Sequence, residues 1–190
     1  MDVADRAVLI TGASSGVGAA LASQLGQMGA RVVVNYSRSA EAAEAVVAKV
    51  EEAGGRALAV QADVSEEADC KRLVTTTVEH FGQLDVLINN AGTTTFVPHD
   101  QLDALTEDIW LRTLRVNLIG AFMMSREAAP HIEAAGGGEI VMTSSIASMT
   151  ANGSSIAYCA SKAGMNSLTR TRQDTGQEKD PRERSAARPH

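Results

Sequence analysis

Short apolar runs alternate with amphipathic stretches along most of the chain. The runs are rich in Val, Ile and Leu, as in strands that are buried on both faces of a sheet. They span residues 7–10, 31–35, 57–60, 84–88 and 139–142. Between them, apolar residues recur at helical spacings, as at Leu73, Val74, Val78 and Phe81, and Ser65 is expected to cap that helix. The alternation predicts βαβ units and an α/β fold with a doubly wound parallel sheet of about five strands.

A glycine-rich turn follows the first strand directly. Residues 11–18 read TGASSGVG, and a helical pattern through Leu21 and Leu25 comes next. In a strand–turn–helix unit of this kind, backbone N–H groups at the helix N-terminus can approach a pyrophosphate with no side chain in the way. The spacing is GxxxGxG and not the GxGxxG of the usual dinucleotide fingerprint. The position after the first strand favours a phosphate site over an ordinary βα turn.

The end of the second strand bears on the choice of nucleotide. An acidic residue at this point accepts a hydrogen bond from a ribose 2′-OH, whereas an arginine accommodates a 2′-phosphate. Residues 35–38 read NYSR and contain no carboxylate. NADP is therefore favoured over NAD, and the alternative is that Arg38 is a solvated loop charge.

The residue types of an acid/base site occur in the second half of the chain. Tyr158 and Lys162 are four residues apart, which places both on one face of a helix. A lysine charge held beside a phenol favours the phenolate and makes the tyrosine a usable base. Ser145 lies thirteen residues upstream, at the carboxyl end of the fifth strand, where open α/β sheets bind ligands. Ser144 and Ser148 are nearby hydroxyls that compete for the same role.

Composition excludes several function classes. The chain has 190 residues, of which 44% are hydrophobic, enough for one domain with a substantial core. A net charge of −6 makes a nucleic-acid partner unexpected. Cys70 and Cys159 lie in no CxxC or Cys/His cluster, so neither a disulfide framework nor a metal site is expected. No apolar run is long enough for a membrane span, and the N-terminus does not resemble a signal peptide. We expect a soluble, cytoplasmic protein.

Together these features resemble the short-chain dehydrogenase/reductase family. The matching motifs are TGxxxGxG at 11–18, NNAG at 89–92, a polar Asn117 within an apolar helix pattern, and Ser145 with the YxxxK of 158–162. The resemblance covers about residues 6–171 and implies a Rossmann-type fold. It implies that Tyr158 is the general acid/base and that Ser145 orients the substrate carbonyl. It also implies that Lys162 holds the nicotinamide ribose, and that Asn117 anchors a water that relays protons to the lysine.

The resemblance further implies a nicotinamide cofactor, with NADP preferred and NAD the less favoured alternative. The implied reaction is reversible hydride transfer with a ketone or secondary alcohol, as in 3-oxoacyl-carrier-protein or sugar-alcohol reductases, and members of the family are usually dimers or tetramers. The expected cofactor-binding residues are Gly12, Ser14, Ser15, Gly16, Val17 and Gly18 at the pyrophosphate, Ser37 and Arg38 at the 2′-phosphate, Asp63 and Val64 at the adenine, Asn89, Ala91 and Gly92 on the cofactor floor, and Tyr158 and Lys162 at the nicotinamide ribose.

The composition changes abruptly after Thr171. Residues 172–190 contain no Val, Ile, Leu, Met, Phe, Trp or Tyr and carry five basic and four acidic side chains, which predicts a disordered tail after a partial domain at 1–171. The resemblance implies two further strands that this tail does not supply. If residues 172–184 are back-translated with permitted codons and read one base later, they can encode a segment that resembles the sixth strand of the family. We therefore expect that the tail results from a frameshift, and the alternative is a natural short variant. The fifth strand should then form a sheet edge, and turnover is expected to be weak or absent. The alternative function is a non-catalytic remnant that binds cofactor or a partner.

Overall fold

Five strands form one parallel sheet in the order β3-β2-β1-β4-β5. A computed structural model describes residues 3–175 of the chain, with side chains up to residue 170. The strands are β1 Ala7–Ile10, β2 Arg31–Tyr36, β3 Arg56–Gln61, β4 Val86–Asn89 and β5 Glu139–Met142. Every paired strand is parallel to its neighbour, as the alternation of apolar runs predicts. The predicted α/β architecture is therefore confirmed.

Helices connect the strands. They are α1 Gly16–Gln27, α2 Ala40–Glu52, α3 Glu67–Phe81, α4 Glu107–Leu114, α5 Ala121–Ala134, α6 Ala147–Thr150 and α7 Ile156–Thr175. A short 3₁₀ turn at Leu102–Ala104 precedes α4, and a π-helical segment at Arg115–Gly120 joins α4 to α5. Asn117, expected within a helix pattern, thus lies in helix, but in its π-helical segment.

Two hydrophobic clusters, one on each face of the sheet, explain the continuous apolar runs. Leu9 and Leu87 belong to the cluster that packs against α3 and α5, whereas Val8 and Ile10 belong to the cluster beneath α1 and α2. Successive strand residues point to opposite faces, so a strand covered on both faces must be apolar throughout. All four residues of β1 are buried accordingly.

The strand order creates a crevice above β1. The chain runs from β1 outward through β2 to β3, and then returns to add β4 on the other side of β1. In open α/β sheets, ligands bind outside the carboxyl ends of the strands at such a switch point. The turns that follow β1 and β4 therefore face each other there.

The structure corrects one local prediction and extends another. Ser65 does not cap α3: its N–H and its hydroxyl both donate to the Asp63 carboxylate, at 2.9 and 2.7 Å, and α3 begins only at Glu67. The last helix continues to Thr175, past the end of the predicted domain at Thr171. The rest of the predicted disordered tail, residues 176–190, lies outside the described residues.

The outer side of β5 has no partner strand among residues 3–175. β5 stands last in the sheet order, and Val141 is 44% exposed. The prediction that β5 forms an edge of the sheet is confirmed for this part of the chain. No helix in the described part of the chain is long and apolar enough to cross a membrane.

Candidate active site

The glycine turn after β1 lies directly against the turn after β4. Gly12 has φ +62°, and a Cβ at this residue would come within 2.8 Å of the Ala91 Cα. A Cβ at Gly18 would come within 2.5 Å of the Asn90 side-chain nitrogen and 2.7 Å of the Gly12 carbonyl oxygen. Both positions require glycine because the backbones are already in contact. The turn thus has the close backbone approach that the motif predicts.

Side-chain hydrogen bonds lock these two turns together. The Thr11 hydroxyl accepts from the N–H groups of Asn90 and Ala91, each at 3.0 Å. The Asn90 amide donates in return to the carbonyls of Thr11 and Gly12, each at 3.0 Å. Asn90 therefore holds the glycine turn in place and lines the cleft itself.

The neighbouring Asn89 was predicted on the cofactor floor, but its side chain lies elsewhere. It is 2% exposed and donates to the Ser125 hydroxyl of α5 at 3.1 Å. Asn89 is two residues after Leu87 and therefore points to the same face of the sheet, beneath α5. That alternation was present in the sequence and would have separated Asn89 from Asn90.

Asn35, at the end of β2, supports the glycine turn from the other side. Its side-chain oxygen accepts from Gly12 N–H at 3.1 Å, and its amide donates to the carbonyls of Val60 and Ala62 at 3.2 and 3.1 Å. Ser37 and Arg38 follow on the rim of the cleft and are exposed. Arg38 forms no salt bridge with any described residue.

A polar network fixes the turn after β3. Asp63 accepts from Ser65 through its carboxylate, while its own N–H donates to the Asp69 carboxylate at 2.8 Å. That backbone bond, together with the Arg72 guanidinium at 2.7 Å, holds the pKa of Asp69 below its ordinary value. Asp63 and Val64 both line the cleft, and their contact with an adenine stays a prediction.

Helix α7 presents the phenol and the ammonium to the same cleft. Tyr158 and Lys162 both line it, and the Lys162 Nζ lies 5.8 Å from the centroid of the Tyr158 ring. Lys162 is 3% exposed, and its Nζ donates to the Thr143 carbonyl at 2.7 Å. Burial lowers the pKa of the Lys162 ammonium because it disfavours the charged form.

Asn117 lies in the π-helical segment and is completely buried. Its side-chain amide donates to the Thr93 carbonyl at 2.9 Å and to the Ser161 hydroxyl at 3.0 Å, and its side-chain oxygen accepts from Thr93 N–H at 2.7 Å. Both amide hydrogens are thus used within the protein. The side chain pins the loop after β4 to α7, and its role in a water relay stays a prediction.

Three serines follow β5, and their hydrogen bonds differ. The Ser144 hydroxyl donates to the Asn166 side-chain oxygen at 2.6 Å, and the Ser148 hydroxyl donates to the Ser145 carbonyl at 2.6 Å. The Ser145 hydroxyl accepts from Ala147 N–H at 3.2 Å, and no described residue accepts its hydrogen. Of the three hydroxyls, the one on Ser145 is the one left able to donate to a ligand.

These elements surround one open cleft of ≈ 540 Å³. The predicted residues that line it are Gly12, Ser14, Ser15, Val17, Ser37, Arg38, Asp63, Val64, Ala91, Gly92, Tyr158 and Lys162. Gly16, Gly18, Asn89, Asn117 and Ser145 are not among the lining residues. The cleft is also lined by Ser144, which was predicted as a competitor of Ser145, and by residues that were not predicted as site residues, among them Tyr36, Thr93, Thr94, Arg112, Val116 and Thr143. Thr143 was identifiable because it follows a strand, whereas Arg112 and Val116 carry no sequence signal.

Known proteins share both the sequence and the fold of the chain. The short chain dehydrogenase family profile matches residues 6–180. A Streptomyces violaceoruber protein, named for a ketoacyl-reductase role in the granaticin polyketide synthase, is 48% identical over 162 residues, covering 85% of this chain and 64% of the relative. A versicolorin reductase of Emericella nidulans is 41% identical over 166 residues, covering 87% of this chain and 61% of the relative. The chain therefore spans less than two thirds of the length of these relatives.

Solved structures agree with this assignment. A short chain dehydrogenase from Burkholderia cenocepacia J2315 in complex with NADP superposes with a TM-score of 0.82 at 37% identity, covering 93% of this chain and 71% of the other. An NADH-dependent reductase of alginate metabolism also gives a TM-score of 0.82, at 33% identity, with 90% and 71% of the two chains covered. By family profile, sequence identity and fold, the chain belongs to the short chain dehydrogenase family.

Proposed function

We propose that the chain is an oxidoreductase that transfers a hydride between NADP(H) and a ketone or secondary alcohol. The observation that carries the proposal is that Tyr158 and Lys162 line the same cleft as the glycine turn. A proton donor and a candidate phosphate cradle thus share one continuous site. Such a site suits a reaction in which a bound nucleotide and a carbonyl compound must meet.

The chemistry of the cleft fits a dinucleotide. Helix α1 begins at Gly16 and has no acidic residue in its first turn, whereas α2, α3 and α4 each have at least one. The positive end of the α1 dipole is therefore left uncompensated and favours a pyrophosphate. Val17 is 62% exposed although apolar, and it lines the cleft, which suits contact with a bound molecule.

Arg38 and Ser37 support NADP over NAD. Arg38 is an exposed cation on the rim of the cleft that is paired with no described carboxylate. No carboxylate stands at the end of β2 to hold a ribose 2′-OH: its last residue is Tyr36, and the side chain of the preceding Asn35 is buried and bonded to Gly12, Val60 and Ala62. Among the solved relatives, one is in complex with NADP and another is NADH-dependent, so the preference rests on Arg38.

The residues of the cleft supply the proton chemistry. Bound NADPH would provide the hydride that the carbonyl carbon accepts. Tyr158 then gives its phenolic proton to the carbonyl oxygen, and the nearby Lys162 ammonium stabilises the phenolate that is left. Ser145 does not line the cleft itself but is adjacent to Ser144, which does; in this scheme it donates its free hydroxyl hydrogen to the same carbonyl oxygen and orients it. In the reverse direction the phenolate takes the proton of an alcohol.

Asn117 acts in this scheme as a positioning residue. Through Thr93 it fixes the loop that follows Gly92 on the cofactor floor, and through Ser161 it fixes α7 next to Lys162. A relay of protons to Lys162 through an ordered water near Asn117 is the further part of the proposal. We also propose a cytoplasmic location and assembly into a dimer or tetramer, in line with the family.

The names of two relatives suggest which ketones to test as substrates. One is named for ketoacyl reduction in a polyketide synthase, and another is a versicolorin reductase. We therefore propose to test a β-keto thioester and a polycyclic aromatic ketone beside a simple cyclic ketone. The decrease in NADPH absorbance in the presence of each ketone measures turnover.

The decisive comparison is between wild type, Tyr158→Phe and Arg170→Ala. Tyr158→Phe keeps the ring but removes the proton, so we expect turnover to fall by about 100-fold or more while NADPH still binds. Arg170 is exposed on the same helix and outside the cleft, and Arg170→Ala should behave as wild type. Equal turnover in wild type and Tyr158→Phe would contradict the proposed chemistry.

The alternative is a non-catalytic protein that binds the nucleotide or a partner. The open edge of β5, with Val141 44% exposed, is the observation that favours it. NADPH binding with no turnover on any ketone would support this alternative. Binding of neither NADPH nor NADH would contradict the oxidoreductase and the nucleotide-binding form of the alternative, and would leave only a partner-binding protein.

A further inference from the structure

Asn166 lies on the same face of α7 as Tyr158 and Lys162 and contacts the segment that follows β5. Asn166 is one turn beyond Lys162, so the three residues lie on one face at four-residue intervals. The Asn166 side-chain oxygen accepts from the Ser144 hydroxyl at 2.6 Å, and its amide donates to the Ser148 hydroxyl at 2.8 Å. Asn166 thus bonds to one serine on each side of Ser145.

These bonds determine which serine hydrogen is available. Ser144 gives its hydrogen to Asn166, and Ser148 accepts from Asn166 and gives its own to the Ser145 carbonyl. The Ser145 hydroxyl accepts from Ala147 N–H, and its hydrogen has no acceptor among the described residues. Without Asn166, the Ser144 hydroxyl would be free to compete with Ser145 for a ligand.

The segment after β5 packs against α7, but few of its side chains are buried there. Helix α6 is four residues long; its Ala147 is buried, whereas its Met149 and the preceding Ile146 are 75% and 65% exposed. Apolar burial therefore contributes little to its position. The Lys162 bond to the Thr143 carbonyl holds the start of the segment, and Asn166 adds the side-chain hydrogen bonds to Ser144 and Ser148.

We propose that Asn166 is a positioning residue that holds residues 144–148 against α7 and leaves the Ser145 hydroxyl as the one that donates to the substrate carbonyl. The proposal rests on the proposed function, since it assumes that a carbonyl binds beside Ser145. Asn166 does not line the cleft, so it acts through the serines and not on the nucleotide.

The test compares wild type with Asn166→Ala, Asn166→Asp and the control Arg170→Ala by amide hydrogen exchange. Asn166→Ala removes both bonds, and exchange of residues 145–151 should become about 10-fold faster while β1 to β4 stay unchanged. Asn166→Asp keeps the acceptor for Ser144 and loses the donor to Ser148, so its exchange should be intermediate. It also serves as the second variant should Asn166→Ala fail to fold.

Turnover and nucleotide affinity complete the test. Asn166→Ala should lower kcat by about 10- to 100-fold, since small displacements of reacting groups have effects of this order, and leave the NADPH Kd unchanged. Exchange in Asn166→Ala equal to that of Arg170→Ala overturns the proposal, and so does an unchanged kcat. A wild-type chain that reduces no ketone contradicts the proposed function alone, because the exchange comparison still decides whether Asn166 holds the segment.

Discussion

The ammonium of Lys162 donates a 2.7 Å hydrogen bond to the backbone carbonyl of Thr143. Thr143 follows β5 directly, and its own N–H donates to the Asn89 carbonyl at the end of β4, at 2.9 Å. This chain of bonds joins the helix that carries Tyr158 to the carboxyl edge of the sheet. Lys162 is 3% exposed and forms no salt bridge with a described residue, so its charge is met only by neutral groups: the Thr143 carbonyl, the Met165 sulfur and the Tyr158 ring.

The first prediction follows from the burial of this charge. The pKa of Lys162 in the folded chain lies below its ordinary value of 10.5 because burial disfavours the ammonium. Between the folded-state pKa and 10.5 the unfolded chain binds more protons at this residue, so raising the pH favours the folded state. We expect the stability of wild type relative to Lys162→Met to rise as the pH increases through that window.

Urea unfolding of the two proteins at several pH values up to 10.5 measures this effect, and the other titrating groups cancel in the difference. The expected difference curve is flat near neutral pH and then rises. A difference that stays constant, or that falls as the pH increases, would contradict the burial of a charged lysine at this position.

The second prediction concerns nucleotide selectivity. Replacing Arg38 by Ala removes the exposed cation on the rim of the cleft. A charge-assisted hydrogen bond contributes about 1.5–3 kcal/mol, so the NADPH Kd should rise by about 10- to 100-fold while the NADH Kd changes little. The exposed Arg56, at the amino end of β3, provides the matched control Arg56→Ala. An equal loss of affinity for both nucleotides would show that Arg38 does not contact the 2′-phosphate.

The five strands of the sheet were accessible from the sequence because buried parallel strands are continuous apolar runs, although β4 begins at Val86, two residues after the start of the predicted run at 84–88. β1 and β5 coincide with the predicted runs at 7–10 and 139–142. The cap at Ser65 was wrong because α3 begins later: Glu66 is its N-cap residue, and Ser65 lies before it in a turn in which it donates to Asp63. The position of this turn depends on a local geometry that a capping pattern does not encode.

The candidate site was predictable to the extent that it follows strand ends and helix spacings. Tyr158 and Lys162 share a face because they are four residues apart, and the cleft contains both. The partner of Asn117 was not predictable, since Thr93 is 24 residues away and meets it only after the π-helical segment turns the amide inward. The partners of Asn166 were missed for the same reason, as Ser144 is 22 residues away.

The third prediction concerns a hydrogen bond at the amino ends of β1 and β4, away from the cleft. The Asp85 carboxylate is 5% exposed and accepts from the buried Ala7 N–H and from Gln83, each at 2.7 Å. Asp85→Ala leaves the Ala7 N–H unpaired, and we expect the free energy of unfolding to fall by about 1–3 kcal/mol. Asp85→Asn keeps an acceptor oxygen and should lose less. Urea unfolding measures both, and equal losses in the two variants would contradict the role of this hydrogen bond.

The last prediction separates two roles for Asn117. Its side chain bonds to both backbone groups of Thr93, and Thr93 lines the cleft beside Gly92. If Asn117 mainly holds this loop in place, Asn117→Ala leaves the half-buried N–H and C=O of Thr93 unpaired. The free energy of unfolding should then fall by about 1–3 kcal/mol, and the NADPH Kd should rise by about 10-fold.

Asn117→Asp is the matched control for this experiment. It keeps the oxygen that accepts from Thr93 N–H but loses the hydrogens given to Thr93 and Ser161, so its effects should be intermediate. NADPH titration and urea unfolding of the three proteins measure how far Asn117 holds the loop in place. A variant that keeps wild-type affinity and stability but loses turnover would contradict this positioning role. It would favour the water relay, because a relay acts only on the proton that Tyr158 transfers.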